Sequence, residues 1–169
     1  MALTVARILV PTDFSETADA ALQYAKVLAS QFGASIDLLH VFSNPYDLAV
    51  YTPEVYAPLP PEMRERALEE AREYLSARLT PADEQRFGGG THAIVTGLTA
   101  PQIVKYADEH GIDLIVMGTH GRRGVAHLLL GSVAEHVIRT AACPVLTVRD
   151  PGAHKHERAD QATDREQVA

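Results

Sequence analysis

Cysteine is nearly absent from this chain. Cys143 is the only one in 169 residues, so no internal disulfide framework is available. Its setting, "AACPVLTV", suits a small buried hydrophobe better than a nucleophile. Positive charge is also in short supply. Fifteen Lys and Arg stand against 22 Asp and Glu, a formal net charge of -7. That balance argues against a general nucleic-acid or membrane-surface binder, while leaving room for a local basic patch. The N-terminal "MALTVARILVPTD" lacks the apolar core of a signal peptide and any spanning segment, so a cytoplasmic protein is expected. The sequence also offers no evident serine triad, no metal cluster and no second catalytic carboxylate.

What is present suits one soluble α/β domain. Apolar residues make up 46% of the chain, and its length allows a sizeable core. The domain is expected over residues 1–149. Residues 150–169, "DPGAHKHERADQATDREQVA", have little to bury and read as a disordered tail. His154 and His156 lie there without further ligands, too little for a metal site.

In order, Arg7 to Val10 reads as a short buried strand closed by Pro11, Thr12 and Asp13. Ser15 is a plausible N-cap for a helix whose apolar stripe runs from Ala18 to Phe32, with Gly33 as its stop. Ser35 to Phe42, "SIDLLHVF", follows as a second strand, and strand–helix–strand implies a right-handed crossover in a parallel sheet. Asn44 to Pro61 is a long proline- and tyrosine-bearing loop whose aromatics either cover a ligand or hold the loop down. Glu62 to Leu79 reads as a surface helix with Leu68, Ala71, Leu75 and Leu79 inward. Its outer face carries the pairs Glu62–Arg66 and Arg66–Glu70. Pro81 to Gly90 reads as a turn region and Thr91 to Thr96 as a third strand. Thr99 with Gln102 suggests a capping box for the next helix, ended by Gly111. Val145 to Val148 is the last strand.

The organising stretch is "DLIVMGTHGRRGVAHLLLGSVAEHV", Asp113 to Val137. Leu114 to Met117 is an apolar run that suits an inner parallel strand. Gly118, Gly121 and Gly124 follow, then Gly131 and Ser132 at the start of a helical pattern. Glycines leave backbone N–H groups open, and a helix start adds more, together with the positive end of its dipole. Two readings stay open. The segment is a phosphate site, or it is a set of turns with Ser132 and Glu135 as an ordinary capping box. It is not a Walker A loop, since no lysine follows the last glycine, nor is it G-x-G-x-x-G.

The spacing glycine, two residues, glycine, nine residues, glycine, then serine in "GTHGRRGVAHLLLGS" resembles the signature of the universal stress protein family, in its ATP-binding branch. The opening "ILVPTDFS" and the closing "CPVLTVR" resemble it too, so the likeness covers roughly Ala6 to Arg149. The resemblance implies an open five-stranded parallel sheet of order 3-2-1-4-5 with helices on both faces, Rossmann-like and similar to adenine nucleotide alpha hydrolases. In that order a crevice opens beyond the first and fourth strands.

The resemblance also implies a site. Asp13 would meet the ribose or a nucleotide-bound Mg2+ or Mn2+, although an Asx turn is its plain alternative. Pro11 and Thr12 would border the nucleoside, Val41 the adenine, and Met117 and Gly118 further nucleoside positions. Gly121, Gly131, Ser132 and Val133 would hold the phosphates. Arg122, and secondarily Arg123, are candidates for screening phosphate charge. His120 could act as a general base, but no nearby sequence element orients it. The expected function is an ATP-binding regulatory protein of the stress response, with ATP, ADP or AMP as ligand. A slow ATPase or self-phosphorylating enzyme and a nucleotide-independent dimeric adaptor are the alternatives. A homodimer through Val145–Val148 is also expected, because in the implied order that strand is an open edge.

Overall fold

The computed structural model describes residues 4–43, 60–87, 89–119 and 130–149. The 44–59 segment, the glycine-loop residues 120–129 and the tail from residue 150 lie outside the described residues. So, therefore, do the expectations for the tyrosine-bearing loop, for the disordered tail and for His154 and His156.

Five strands form one sheet: β1 (Arg7–Pro11), β2 (Ser35–Phe42), β3 (Gly90–Thr96), β4 (Leu114–Gly118) and β5 (Val145–Val148). All pairings are parallel, in the order β3-β2-β1-β4-β5 that the family resemblance implied. The helices are α1 (Glu16–Phe32), α2 (Pro61–Arg78), α3 (Pro81–Arg86), α4 (Thr99–Glu109) and α5 (Ser132–Thr140). None of the described helices is long and apolar enough to cross a membrane.

The period-two alternation of the strands sorts the core into two layers. Ile8, Val10, Ile36, Leu38 and Val116 pack against α1 through Ala21, Leu22, Ala25 and Ala29, and against Leu75 of α2. Leu9, Leu39, Val41, Ile115 and Met117 pack against Ile103 and Ala107 of α4 and Ala134 and Val137 of α5. Burying each large aliphatic side chain contributes about 2 kcal/mol, so both layers stabilise the sheet. α1 is delimited as its sequence suggests. Ser15 Oγ accepts from Ala18 N at 3.3 Å, and Gly33 takes a left-handed φ of 69° at the other end.

Three local expectations are corrected. The region from Pro81 is not only turn: it holds α3, because Thr80, Pro81 and Asp83 form an N-terminus with a full capping box. Asp83 Oδ2 accepts from Thr80 N at 3.0 Å and from Lys26 Nζ at 2.9 Å. Burial pushes this carboxyl upward, but the hydrogen bonds from Lys26 and Thr80 prevail and hold it below the usual carboxylate value. The Thr99–Gln102 capping box is absent, since the N-cap is Leu98 and Thr99 is already helical. Thr99 Oγ1 instead meets Ser43 Oγ at 2.9 Å. On α2, Arg66–Glu70 forms at 3.2 Å on an exposed face, whereas Glu62–Arg66 is not among the ion pairs of the described residues.

The amino-terminal end of the sheet is tied by charge. Asp37, in β2, is 2% exposed and accepts from Arg7 Nη2 at 2.7 Å and from the Tyr106 hydroxyl at 3.3 Å. Arg7 Nη1 also donates to the His110 carbonyl at 2.6 Å, and the His110 ring stacks on Tyr106 at 3.8 Å. Asp113 Oδ2 accepts from Ala6 N at 2.8 Å and Arg7 N at 2.9 Å, joining the start of β4 to the start of β1. Burial and the neighbouring Asp37 charge push the Tyr106 phenol up to about 12, against a smaller opposing pull from Arg7.

β5 is an edge strand, paired only with β4. Val148 is only 8% exposed and belongs to the α1 layer of the core, while Leu146 is 38% exposed. Val148 is thus a fold residue, packed in the α1 layer, while Leu146 on the same face of the strand stays exposed.

Candidate functional site

The two central strands part at their carboxyl ends. β1 and β2 stay in register to Pro11↔Leu39. β1 and β4 pair only at Ile8↔Leu114 and Leu9↔Ile115, yet β4 continues beside β5 to Gly118↔Val148. The helix after β1 joins one core layer and the helix after β4 joins the other, which makes this the switch point of the sheet.

One wall of the opening is the turn from β1 to α1. Pro11 and Thr12 are buried and Asp13 is half-buried. Thr12 N donates to Leu39 O at 2.8 Å, and its Oγ1 accepts from Phe14 N at 3.0 Å. Asp13 Oδ1 accepts from Ser15 N at 3.1 Å and from Ser15 Oγ at 2.6 Å, so the Asx-type turn is formed through that oxygen. Phe14 has a left-handed φ of 65°, rare for a residue with a side chain. Its ring stacks on His40 at 4.5 Å and contacts Tyr74 at 5.2 Å. The Arg78 guanidinium lies 5.4 Å from the Phe14 centroid and is anchored by Asp19 at 2.5 Å.

The other wall is the end of β4 and the start of α5. Met117 is buried and Gly118 half-buried. Thr119 N donates to Val148 O at 2.8 Å, and Thr119 O accepts from Gly131 N at 2.8 Å, which returns the chain to the tip of β4. The N-cap of α5 is Gly131, with φ -75° and ψ 153° and no side-chain cap. The Ser132–Glu135 capping box is therefore absent. The helix begins one residue earlier than that motif requires, so Ser132 is its first residue and is exposed. The first intrahelical bond runs from Glu135 N to Gly131 O at 2.9 Å. The N–H groups of Ser132, Val133 and Ala134 precede it and make no hydrogen bond among the described residues.

Pro11, Thr12 and Asp13 thus share the carboxyl end of the sheet with Met117, Gly118, Gly131, Ser132 and Val133. Val41, 7% exposed, is the penultimate residue of the neighbouring β2 and lies toward the same end. Gly121 and Arg122 lie outside the described residues, as do His120, Arg123, Gly124 and His127. Two residues here were not singled out from sequence. His40 sits in an apolar strand, and its place in line with Ile36 and Leu38 is the one signal the sequence carries for it. Phe14 gives no sequence sign of its left-handed backbone. Among the described residues no group of three or more His, Cys, Asp or Glu side chains is placed to hold a metal ion. Burial pushes the Cys143 thiol up, with Asp108 and Asp113 adding to the effect, as suits a packing residue.

Residues 4–149 match the universal stress protein family. Universal stress protein MJ0577 of Methanocaldococcus jannaschii is 33% identical over 160 residues, spanning 88% of this chain and 98% of that protein. The solved structure of MJ0577 superposes with a TM-score of 0.72 at 34% identity, covering 87% of this chain and 97% of that one. Two more distant structures share the fold. A universal stress protein in complex with cAMP has a TM-score of 0.55 at 23% identity, covering 86% of this chain and 98% of that one. The Archaeoglobus fulgidus protein in complex with dAMP has a TM-score of 0.58 at 22% identity, covering 87% and 99%. With the sheet order, the parted central strands and this match in hand, the chain belongs to the universal stress protein family.

Proposed function

We propose that this chain binds an adenine nucleotide, ATP first among them, at the carboxyl end of β1 and β4, and that it acts as a nucleotide-dependent regulatory protein. One observation carries the reading. Three successive N–H groups at the start of α5, which make no hydrogen bond among the described residues, are held beside the tip of β4 by the Gly131–Thr119 bond, across the opening from the turn that carries Asp13. Such a group of donors at the positive end of a helix suits phosphate oxygens. With its N-cap on Gly131, the helix also makes no use of the Ser132 hydroxyl, which is left to donate to the same anion.

In this arrangement Gly131, Ser132 and Val133 take the phosphates, together with Gly121 and Arg122. Asp13 takes the ribose, Pro11, Thr12, Met117 and Gly118 border the nucleoside, and Val41 meets the base through its backbone. Asp13 offers one carboxylate, whose Oδ1 already accepts two hydrogen bonds. A Mg2+ or Mn2+ ion there would take its remaining ligands from phosphate and water. The fold-sharing proteins solved with cAMP and dAMP fit this ligand class, and the assignment to this chain rests on its own residues.

Equilibrium dialysis of the folded, ligand-free protein against ATP, ADP and AMP tests the proposal. Uptake of at least one is expected, and none up to millimolar concentration would sink it. For assembly, we propose a homodimer through the open β5 edge, with Leu146 supplying exposed apolar surface and Val148 remaining inside the fold.

A further inference from the structure

We infer that His40 is a positioning residue for Asp13, holding from β2 both of the residues that flank it. This rests on the nucleotide reading above and deepens it. Ile36, Leu38 and His40 share one face of β2, and the first two are fully buried. A half-buried imidazole in that row needs a hydrogen-bonding reason.

The Thr12 carbonyl supplies one. The β1–β2 register ends at Pro11↔Leu39, so this carbonyl lies past the last ladder pair. His40 Nδ1 approaches it at 2.9 Å. A carbonyl only accepts, so Nδ1 carries the proton and donates. Fixing the Thr12 carbonyl also fixes the Asp13 N–H, which points the opposite way across the same planar peptide. On the other side of Asp13, the Phe14 ring lies 4.5 Å from the His40 ring at 28°, and Phe14 is the residue held at a positive φ. His40 therefore fixes the turn through its bond to the Thr12 backbone, with the ring packing on Phe14 as the lesser contact, and Asp13 has little freedom between them. The turn so held also contains the bonds from Phe14 N to Thr12 Oγ1 and from Ser15 N to Asp13 Oδ1.

Two substitutions separate donor from ring. His40→Phe keeps an aromatic ring for Phe14 and removes the donor. His40→Asn places an amide N–H where Nδ1 stood and removes the ring. ATP titration of both against the unmodified chain should show affinity falling about fivefold to tenfold in His40→Phe, the scale of one net hydrogen bond, and returning to within about threefold in His40→Asn. A second readout needs no nucleotide. Exchange of the Phe14 and Ser15 amides, followed by NMR, should quicken in His40→Phe and recover in His40→Asn, while amides of the β1–β2 ladder keep their protection in both. Unchanged amide exchange in His40→Phe, or an Asn variant as impaired as the Phe variant, would overturn the assignment. If the unmodified chain takes up no nucleotide, the nucleotide reading falls, and the exchange arm still decides whether His40 holds the turn.

Discussion

Raising the pH through the titration of Tyr106 should destabilise the protein by an amount that its buried contacts set. Tyr106 is 6% exposed and donates its hydroxyl to Asp37, so the native state keeps the phenol protonated. Its pKa is pushed from 10.0 to about 12, by burial first and by the Asp37 charge second. A raised folded-state value means the native state binds the proton more tightly than the unfolded chain. The associated stability is then fully present below pH 10, is lost as pH rises above that value, and is gone once the pH passes about 12. At about pH 11 the unfolded phenol is mostly ionised and the native one is not, which corresponds to a loss of about 1.4 kcal/mol relative to about pH 8. The comparison must be with Tyr106→Phe, so that every other effect of alkaline pH is common to the two proteins. At about pH 8 that variant should be less stable by about 1 kcal/mol, the net value of the lost hydrogen bond. Near pH 11 the gap should close or reverse, read as the difference in urea-unfolding free energies. A gap that stays constant from about pH 8 to about pH 11 would refute the reasoning, since it would mean that the native phenol ionises as it does in water.

The Lys26–Asp83–Thr80 cluster should be felt in acid. Asp83 is held below its usual value, so its contribution is full above about pH 4 and lost as pH falls through the native value, and Asp83→Ala should cost about 1–2 kcal/mol at neutral pH and flatten the acid limb of a urea-melt series. On β5, Val148→Lys should lower the melting temperature steeply by burying a charge. Leu146→Lys should leave the melt near that of the unmodified chain and weaken self-association in light scattering across a dilution series; a dimer untouched by Leu146→Lys would count against the β5 edge.

Much of the fold was legible because strands and helices announce themselves by period. "RILV", "SIDLLHVF" and "LIVM" carry enough apolar alternation or continuity to be buried on both faces, and they are. The sheet order came from family resemblance, since no local pattern says which strand neighbours which. Caps were read less well. Ser15 is the cap it resembles, but Thr99 and Ser132 each prove to be the first helical residue, because the extended backbone of the residue before them already starts the helix. Thr80–Asp83 is a capping box whose helix, at six residues, is too short to show a period. The contacts of His40 and Phe14 were not legible at all. They depend on the tip of β2 lying beside the turn after β1, and on a side chain replacing a ladder bond, neither of which has a sequence period.

The opening at the carboxyl end of the sheet follows from how its other end is fastened. Asp113 precedes β4 by one residue, and its carboxylate takes the two backbone N–H groups that lead into β1. Asp113 N in turn donates to Arg7 O at 3.0 Å, so the two central strands are clamped where they begin. From that clamp only two residue pairs stay in register before the strands part. Each strand then finds partners on its outer side, β1 through Thr12 N to Leu39 O and β4 through Thr119 N to Val148 O. The ladder bonds at the tips thus face away from the gap, and the gap is bordered by a turn and a helix start. A gap of this kind needs a rigid base, because the turn beside it holds Phe14 at a positive φ, a conformation that costs about 1–2 kcal/mol. The contacts of buried Asp37 with Tyr106 and with the partly exposed Arg7 supply that base at the opposite end of the same strands. Loosening the amino-terminal clamp should therefore widen or blur the carboxyl-terminal opening although no residue there has changed, since the ladder between β1 and β4 holds only two residue pairs beyond that clamp.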